Sequence, residues 1–200
     1  MRDVAVQQSL GRNNKNVGGG VILLLISAAM KMIRYITIRY YDTPVEKMVL
    51  GSFGDEMVLC DWVVGHRRRR TDEMVQRALG STYVEGTSPV LDRCIDELDE
   101  YFAGRRRMFD ISIRLTGTAF QNRVWTTLST IPFGHTVSYG ALAVRMGMPC
   151  GARAVAGAVG ANPVSVLVPC HRVIGSNGSL TGYAGGLEVK SKLLELEGIV

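Results

Sequence analysis

With 200 residues, 46% hydrophobic and 20% charged, the chain has the composition of an ordinary globular protein; a disordered or fibrous chain is excluded, and there is room for one sizeable domain or two small ones. A net charge of +5 leans toward an anionic partner, nucleic acid being the commonest, without establishing one. Cys60, Cys94, Cys150 and Cys170 form no Cys-x-x-Cys pair and the three histidines (His66, His135, His171) do not cluster with them, so zinc-ligand spacing is missing and a reduced, cytoplasmic compartment is the simplest reading.

Val17 to Met30 is largely apolar and follows Arg12 and Lys15, so it imitates a signal peptide, with Ser27-Ala28-Ala29 as a cleavage site. It is too short to cross a bilayer as a helix. Met32 stands directly before a well-patterned strand. Met32 is therefore the expected natural start and residues 1–31 a non-native or poorly ordered extension; a real export signal is the competing reading.

Ile33 to Tyr41 and Met48 to Val64 are rich in β-branched and aromatic residues, with turn signals at Thr43-Pro44 and at Gly51 to Asp55. They predict strands of a small antiparallel sheet. The run His66-Arg67-Arg68-Arg69-Arg70 reads as a solvated loop, with a DNA-binding patch as the alternative. Pro89 to Phe102 carries Val90, Leu91, Cys94, Ile95, Leu98 and Phe102 at helical spacing, and Gly104 is placed to cap it. After Arg105-Arg106-Arg107, Phe109 to Leu115 reads as a last strand. Residues 104–118 then form the passage between two lobes.

Beyond that passage the pattern turns helical. Thr118 and Gln121 have capping-box spacing ahead of Phe120, Val124, Trp125 and Leu128, and Pro132-Phe133-Gly134 is the stop. Ser138 to Met146 predicts a short second helix and Ala152 to Gly160 a third, ended by Asn162-Pro163. Two short helices joined by a Gly-containing turn read as a helix-turn-helix, the second being the recognition helix. That helix is nearly all Ala, Gly and Val, which fits either tight internal packing or close approach to a partner, and Arg153 is its one long side chain.

The run Pro169-Cys170-His171-Arg172 sets a cysteine beside a histidine after the apolar stretch Val164 to Val168. A thiol is nucleophilic as thiolate, and a nearby histidine is a common way to reach it. The stretch reads as a buried strand delivering the sulfur to a site at its end. Gly175 to Gly186 is a loop with one aromatic, Tyr183, and Leu187 to Leu196 a final helix with Val189, Leu193 and Leu196 inward. Glu197, four residues after Leu193, shares that face and wants a partner, for which His171 is the candidate; a frayed, solvated carboxylate is the alternative.

Together these residues resemble the O6-alkylguanine-DNA alkyltransferase (methylated-DNA–protein-cysteine methyltransferase) family over residues 32–198. The resemblance is strongest in Gly151-Ala152-Arg153-Ala154-Val155, Asn162-Pro163, Pro169-Cys170-His171-Arg172-Val173 and Tyr183-Ala184-Gly185-Gly186. It implies an α/β N-terminal lobe at 32–115, ribonuclease H-like, with a small antiparallel sheet plus helix. It also implies a mostly α C-terminal lobe at 116–200 with a winged-helix-like helix-turn-helix.

The resemblance implies irreversible, single-turnover transfer of an alkyl group from O6 of guanine (or O4 of thymine) in double-stranded DNA to Cys170. The protein would act as a monomer, away from membranes, with no cofactor and no metal. By the same resemblance His171 takes the thiol proton through a water, Glu197 holds His171, and Asn162 orders the site. Tyr139 donates to the departing base, and the backbone at Cys170 and Val173 accepts from the guanine amino group. The amide of Ala184 faces O6, Tyr183 walls the pocket, and Arg153 fills the stack vacated by the extruded base. A non-catalytic lesion-binding relative and a cysteine hydrolase are the competing functions.

Overall fold

The computed structural model describes residues 35–65 and 67–200. The expectations for residues 1–31, for Met32 and for His66 lie outside the described residues.

Three strands, β1 (Ile36–Tyr41), β2 (Met48–Phe53) and β3 (Glu56–Trp62), run antiparallel to their neighbours, and β4 (Tyr83–Glu85) adds to the far edge of β1 in the parallel sense. The sheet is thus mixed, in the order β3-β2-β1-β4, and not purely antiparallel as expected. A parallel neighbour needs a crossover. Here it includes α1 (Arg68–Leu79), which begins inside the arginine run read as a solvated loop. The helical signal lay in the carboxylates one turn on: Arg68 pairs with Asp72 and Arg69 with Glu73. Gly80, left-handed at φ 57°, closes the helix.

Alternation along the strands gives the sheet two apolar faces. Ile36, Ile38, Val49 and Phe53 pack with Val75 of α1 on one side. On the other, Met48, Leu50, Met57 and Trp62 join Leu91, Cys94, Leu98 and Tyr101 of α2 (Pro89–Phe102), a helix whose bounds match the periodicity. Its Ser88 cap accepts from the Leu91 amide, and Gly104 follows at φ 73°. The expected strand at Phe109 to Leu115 is instead an irregular extended segment. It touches the outer edge of β3 through the Met57 amide to the Ser112 carbonyl (2.8 Å) and the Arg114 amide to the Met57 carbonyl (2.9 Å).

The same core continues into the second half of the chain, through Val124, Trp125, Leu142, Val155, Val168 and Leu193. Helix α3 (Ala119–Leu128) starts on the predicted capping box of Thr118 and Gln121. It ends at Leu128, before the expected Pro132 stop, in a stretch where the Ser129 hydroxyl bonds back to the Trp125 carbonyl. The indole of Trp125 donates to the Ala158 carbonyl (2.8 Å), tying α3 to α5 (Ala152–Val159). Helix α4 (Tyr139–Arg145) is capped by the Ser138 hydroxyl. A two-stranded parallel pair, β5 (Val137–Ser138) and β6 (Val173–Ile174), joins its start to the residues after Cys170, and α6 (Leu187–Leu196) closes the fold as predicted.

Candidate active site

The segment that carries Cys170 is a turn and not the expected buried strand. The Cys60 amide, on the outer edge of β3, donates to the Pro163 carbonyl at 2.9 Å and anchors its beginning. From there Val164 and Val168 approach each other, the Val168 amide donating to the Val164 carbonyl (2.9 Å), with Val166 at φ 71° between them. A β-branched residue in the left-handed region is strained, at a cost of about 1–3 kcal/mol, and needs its surroundings to hold it. Asn162 supplies part of that hold. Its side chain accepts from the Val164 amide (3.1 Å) and donates to the Val168 carbonyl (2.9 Å), so one amide group closes both ends of the turn.

Cys170, His171 and Arg172 then make a single 3-10 turn. His171 and Arg172 both reach Glu197, which caps the end of α6. The His171 Nε2 lies 2.8 Å from Glu197 Oε1, and the Arg172 guanidinium grips both carboxylate oxygens at 2.9–3.2 Å. Tyr101 of α2 donates to the same carboxylate at 2.8 Å and the Gly134 amide at 3.2 Å. Glu197 is therefore buried and held by four groups, and the frayed alternative does not hold. Burial alone would raise its pKa; hydrogen bonds and charge from His171 and Arg172 outweigh that and bring it to about 2.

The ionised Glu197 decides the tautomer of His171. A carboxylate can only accept, so Nε2 carries the hydrogen. Burial, the largest influence, lowers the His171 pKa below 6.5, against the pull of Glu197, so the ring stays neutral at pH 7. Its other nitrogen, Nδ1, is then a free base, and it has no hydrogen-bond partner among the described residues. Cys170, 3% exposed, is the group in need of one: burial pushes its thiol up to about 11, with the nearby Asn162 amide and the charge of Lys190 acting in the opposite direction.

A pocket of about 570 Å³ is lined by Arg67, Tyr139, Ala156, Gly160, Tyr183 and Ala184 among others, while Cys170 itself is not in its lining. The Tyr139 hydroxyl donates toward the carbonyls of Thr181 (3.1 Å) and Gly182 (3.0 Å), holding the glycine-rich loop against α4. Tyr183 is buried, and its hydroxyl accepts from the Trp62 indole at 2.9 Å. Gly185 lies so close to that indole that a Cβ there would strike it, which is why a glycine is needed in the loop. Val173 sits in β6 beyond the turn, and its carbonyl accepts from Lys190 Nζ at 2.5 Å.

Lys190 was not singled out in the sequence. It is fully buried and also donates to the Thr181 carbonyl (2.8 Å), joining β6 to the loop that walls the pocket. The signal was present, since Lys190 precedes the buried Leu193 and Leu194 by three and four residues. Arg153, in contrast, stands exposed in the first turn of α5 and makes no hydrogen bond or ion pair with any described residue.

A family profile described as the DNA-binding domain of 6-O-methylguanine DNA methyltransferase matches residues 119–199. The methylated-DNA–protein-cysteine methyltransferase of Mycobacterium tuberculosis (strain ATCC 25618 / H37Rv) is 55% identical over 166 residues, 83% of this chain and 93% of that protein. This chain belongs to the methylated-DNA–protein-cysteine methyltransferase family. An inducible member from Bacillus subtilis (strain 168) is 44% identical over 67% of the chain and 76% of its own length. Among solved structures, Mycobacterium tuberculosis OGT in complex with DNA superposes with a TM-score of 0.69 at 40% identity, covering 80% of this chain and 92% of that one. The O6-methylguanine-DNA methyltransferase of Pyrococcus kodakaraensis strain KOD1 gives 0.59 at 26% identity, covering 82% and 99%.

Within this family frame, the turn, α6 and the glycine-rich loop bring Asn162, Cys170, His171 and Glu197 into one buried cluster, with Tyr139, Tyr183 and Ala184 around the adjoining pocket. Among the described residues no group of three or more His, Cys, Asp and Glu is placed to hold a metal ion, and no helix is long and apolar enough to cross a membrane.

Proposed function

We propose that this protein repairs alkylated DNA by moving the alkyl group of O6-alkylguanine, and of O4-alkylthymine, onto Cys170. The observation that carries the assignment to these residues is the buried His171–Glu197 pair at 2.8 Å, with the second nitrogen of His171 left basic and the thiol of its chain neighbour Cys170 un-ionised. A neutral thiol is a poor nucleophile, and an adjacent base corrects that at the moment of reaction. Nδ1 of His171 draws the proton of Cys170 through a bridging water, and Glu197 stabilises the imidazolium that forms. The sulfur attacks the alkyl carbon, the S–C bond forms and the C–O6 bond breaks. The base takes up a proton and leaves as guanine. The thioether is stable, so each molecule reacts once and no cofactor is consumed.

Chemistry on a stacked base requires its extrusion. In our reading α4 and α5 form the helix-turn-helix of a winged-helix-like C-terminal lobe at 116–200, behind a ribonuclease H-like N-terminal lobe at 32–115. Helix α5 enters the minor groove, and the free Arg153 fills the gap left in the base stack. Tyr139, at the pocket, turns its hydroxyl from the Thr181 and Gly182 carbonyls and donates to the leaving base, offsetting its developing charge. The carbonyls of Cys170 and Val173 read the guanine amino group, the amide of Ala184 faces O6, and Tyr183 forms the wall. The protein works as a monomer in the reducing cytoplasm, which suits its four free cysteines, one of them, Cys150, exposed.

The test is incubation with duplex DNA carrying O6-methylguanine labelled in the methyl group. One label per protein on the Cys170 peptide is expected, and none in Cys170→Ala, which should still bind the duplex. Label transferred by Cys170→Ala, or wild-type protein that binds the lesion and stays unmodified, would overturn the assignment.

A further inference from the structure

The arginine run at the start of α1 is not used by the reaction above. Arg68 and Arg69 are each neutralised by a carboxylate one turn along the helix. Arg70 and Arg77 have no hydrogen bond or ion pair to any described residue, and Arg67 makes a single bond, to the Gly160 carbonyl at 3.2 Å. Spacings of three, four and three residues place Arg67, Arg70, Met74 and Arg77 in one stripe along the helix. That stripe is one wall of a groove of about 660 Å³. The guanidinium groups that lack a carboxylate are thus the ones that face the groove.

The opposite wall favours an anion as well. It includes Thr118, the cap of α3, where the helix presents the positive end of its dipole. Thr116, whose buried hydroxyl has no partner among the described residues, lines the same groove. Glu73 is the one carboxylate of the lining, and Arg69 already pairs with it. The groove also leads somewhere. Arg67 and Gly160 line both it and the pocket bounded by Tyr139 and Tyr183, so the two cavities meet at the C-terminal end of α5.

We infer that this groove is a second DNA contact, in which Arg67, Arg70 and Arg77 hold the phosphodiester backbone of the strand that continues past α5. Guanidinium groups match phosphate geometry, and such contacts position a duplex without reading its sequence. The groove would hold the strand on the far side of the extruded nucleotide from the Arg153 end of α5. The inference rests on the DNA-binding reading of α4 and α5.

The full-length double variant R70Q/R77Q tests it, measured by equilibrium binding to undamaged duplexes across a salt series. Each lost phosphate contact lowers the slope of log K against log salt by about 0.9, so a slope shallower by about 1.8 is expected. The variant R39Q/R105Q removes the same charge from exposed positions outside the groove, and its slope should stay near that of the wild type. Ethylation of individual phosphates should further show positions that impede wild-type binding and no longer matter to R70Q/R77Q. An unchanged slope in R70Q/R77Q, an equal change in both variants, or a loss confined to association between protein copies would overturn the groove assignment. Failure of the wild type to bind duplex DNA at all would overturn the parent reading instead.

Discussion

Replacing Glu197 by glutamine keeps the shape of the side chain and removes its charge, so it isolates what the carboxylate does for its neighbours. Arg172 is 6% exposed and points three of its hydrogen bonds at Glu197. Removing one partner of a buried ion pair costs about 3–5 kcal/mol, because the remaining charge is left without a counterion. The amide oxygen can still accept from Arg172 or Tyr101, which argues for the lower end, about 3 kcal/mol. At about 2–4 °C per kcal/mol for a domain of this size, the thermal midpoint should fall by about 6–12 °C.

The chemical effect is separate and larger. A glutamine can turn its NH₂ group toward His171 Nε2. The ring proton then moves to Nδ1, the nitrogen that has to accept the thiol proton. Loss of a positioned general base is worth about 10²–10⁴ in rate, and single-turnover transfer from a labelled duplex should slow by that much. The pH profile of stability separates the two roles further. Both His171 and Glu197 have folded pKa values below their unfolded ones, so the unfolded chain binds more protons and stability rises with pH. As pH falls, wild-type stability should drop first below 6.5, through His171, and again between 4.5 and about 2, through Glu197. E197Q should lack the second step. A variant with an unaltered midpoint, a rate within about threefold of wild type and the same acid profile would refute the reasoning, since a factor of three is under 1 kcal/mol.

Arg153→Ala should slow repair of duplex DNA far more than reaction with free O6-benzylguanine; equal losses on the two substrates would argue against its filling the base stack. Lys190→Met removes both bonds that join β6 to the glycine-rich loop, so amide exchange over residues 175–186 should accelerate, and unchanged protection there would count against the clamp. Burial lowers the Lys190 pKa to about 8, so this group adds stability as pH rises from about 8 to 10.5, and the difference between wild type and K190M in urea unfolding should show that increment. Gly185→Ala drives a methyl group into the fully buried Trp62, at 2.7 Å from Cγ and 2.9 Å from Nε1. A loss of about 1–3 kcal/mol and a shift in tryptophan emission are expected, and an unperturbed emission spectrum would mean that the loop and the indole do not pack as described.

What could be read in advance depended on how local the determining force is. Helices α2 and α6 were legible to the residue because one apolar stripe and one end signal each decide them, and the box of Thr118 and Gln121 marks the start of α3 within four residues. Helix α1 escaped because charge dominates its sequence: only Thr71 and Val75 are buried, and its support comes from pairs that resemble a solvated run until the i, i+4 spacing is checked. The three residues of β4 form a strand only by pairing with β1, more than forty positions earlier, and nothing within them announces it. Val164 to Val168 shows the limit most clearly. Apolarity correctly says that the segment is buried, but burial alone does not distinguish a strand from a turn. What bends it is Asn162 closing both ends and β3 offering the Cys60 amide at its edge, two interactions that hydrophobic periodicity does not encode. The same division runs through the site. Glu197 could be aimed at His171 because its spacing from Leu193 puts it on the inner face of α6, where a carboxylate needs a partner. The grip of Tyr101, which lies 96 residues from Glu197, depends on how α2 meets the end of α6, and that of Arg172 on the 3-10 turn that follows Pro169. It is the hydrogen bonds and charge of His171 and Arg172, brought to the end of α6 by the fold, that keep the buried Glu197 anionic at pH 7, and an anionic Glu197 is what leaves Nδ1 of His171 basic. The base is therefore a product of the whole fold, not of the four residues that first draw the eye.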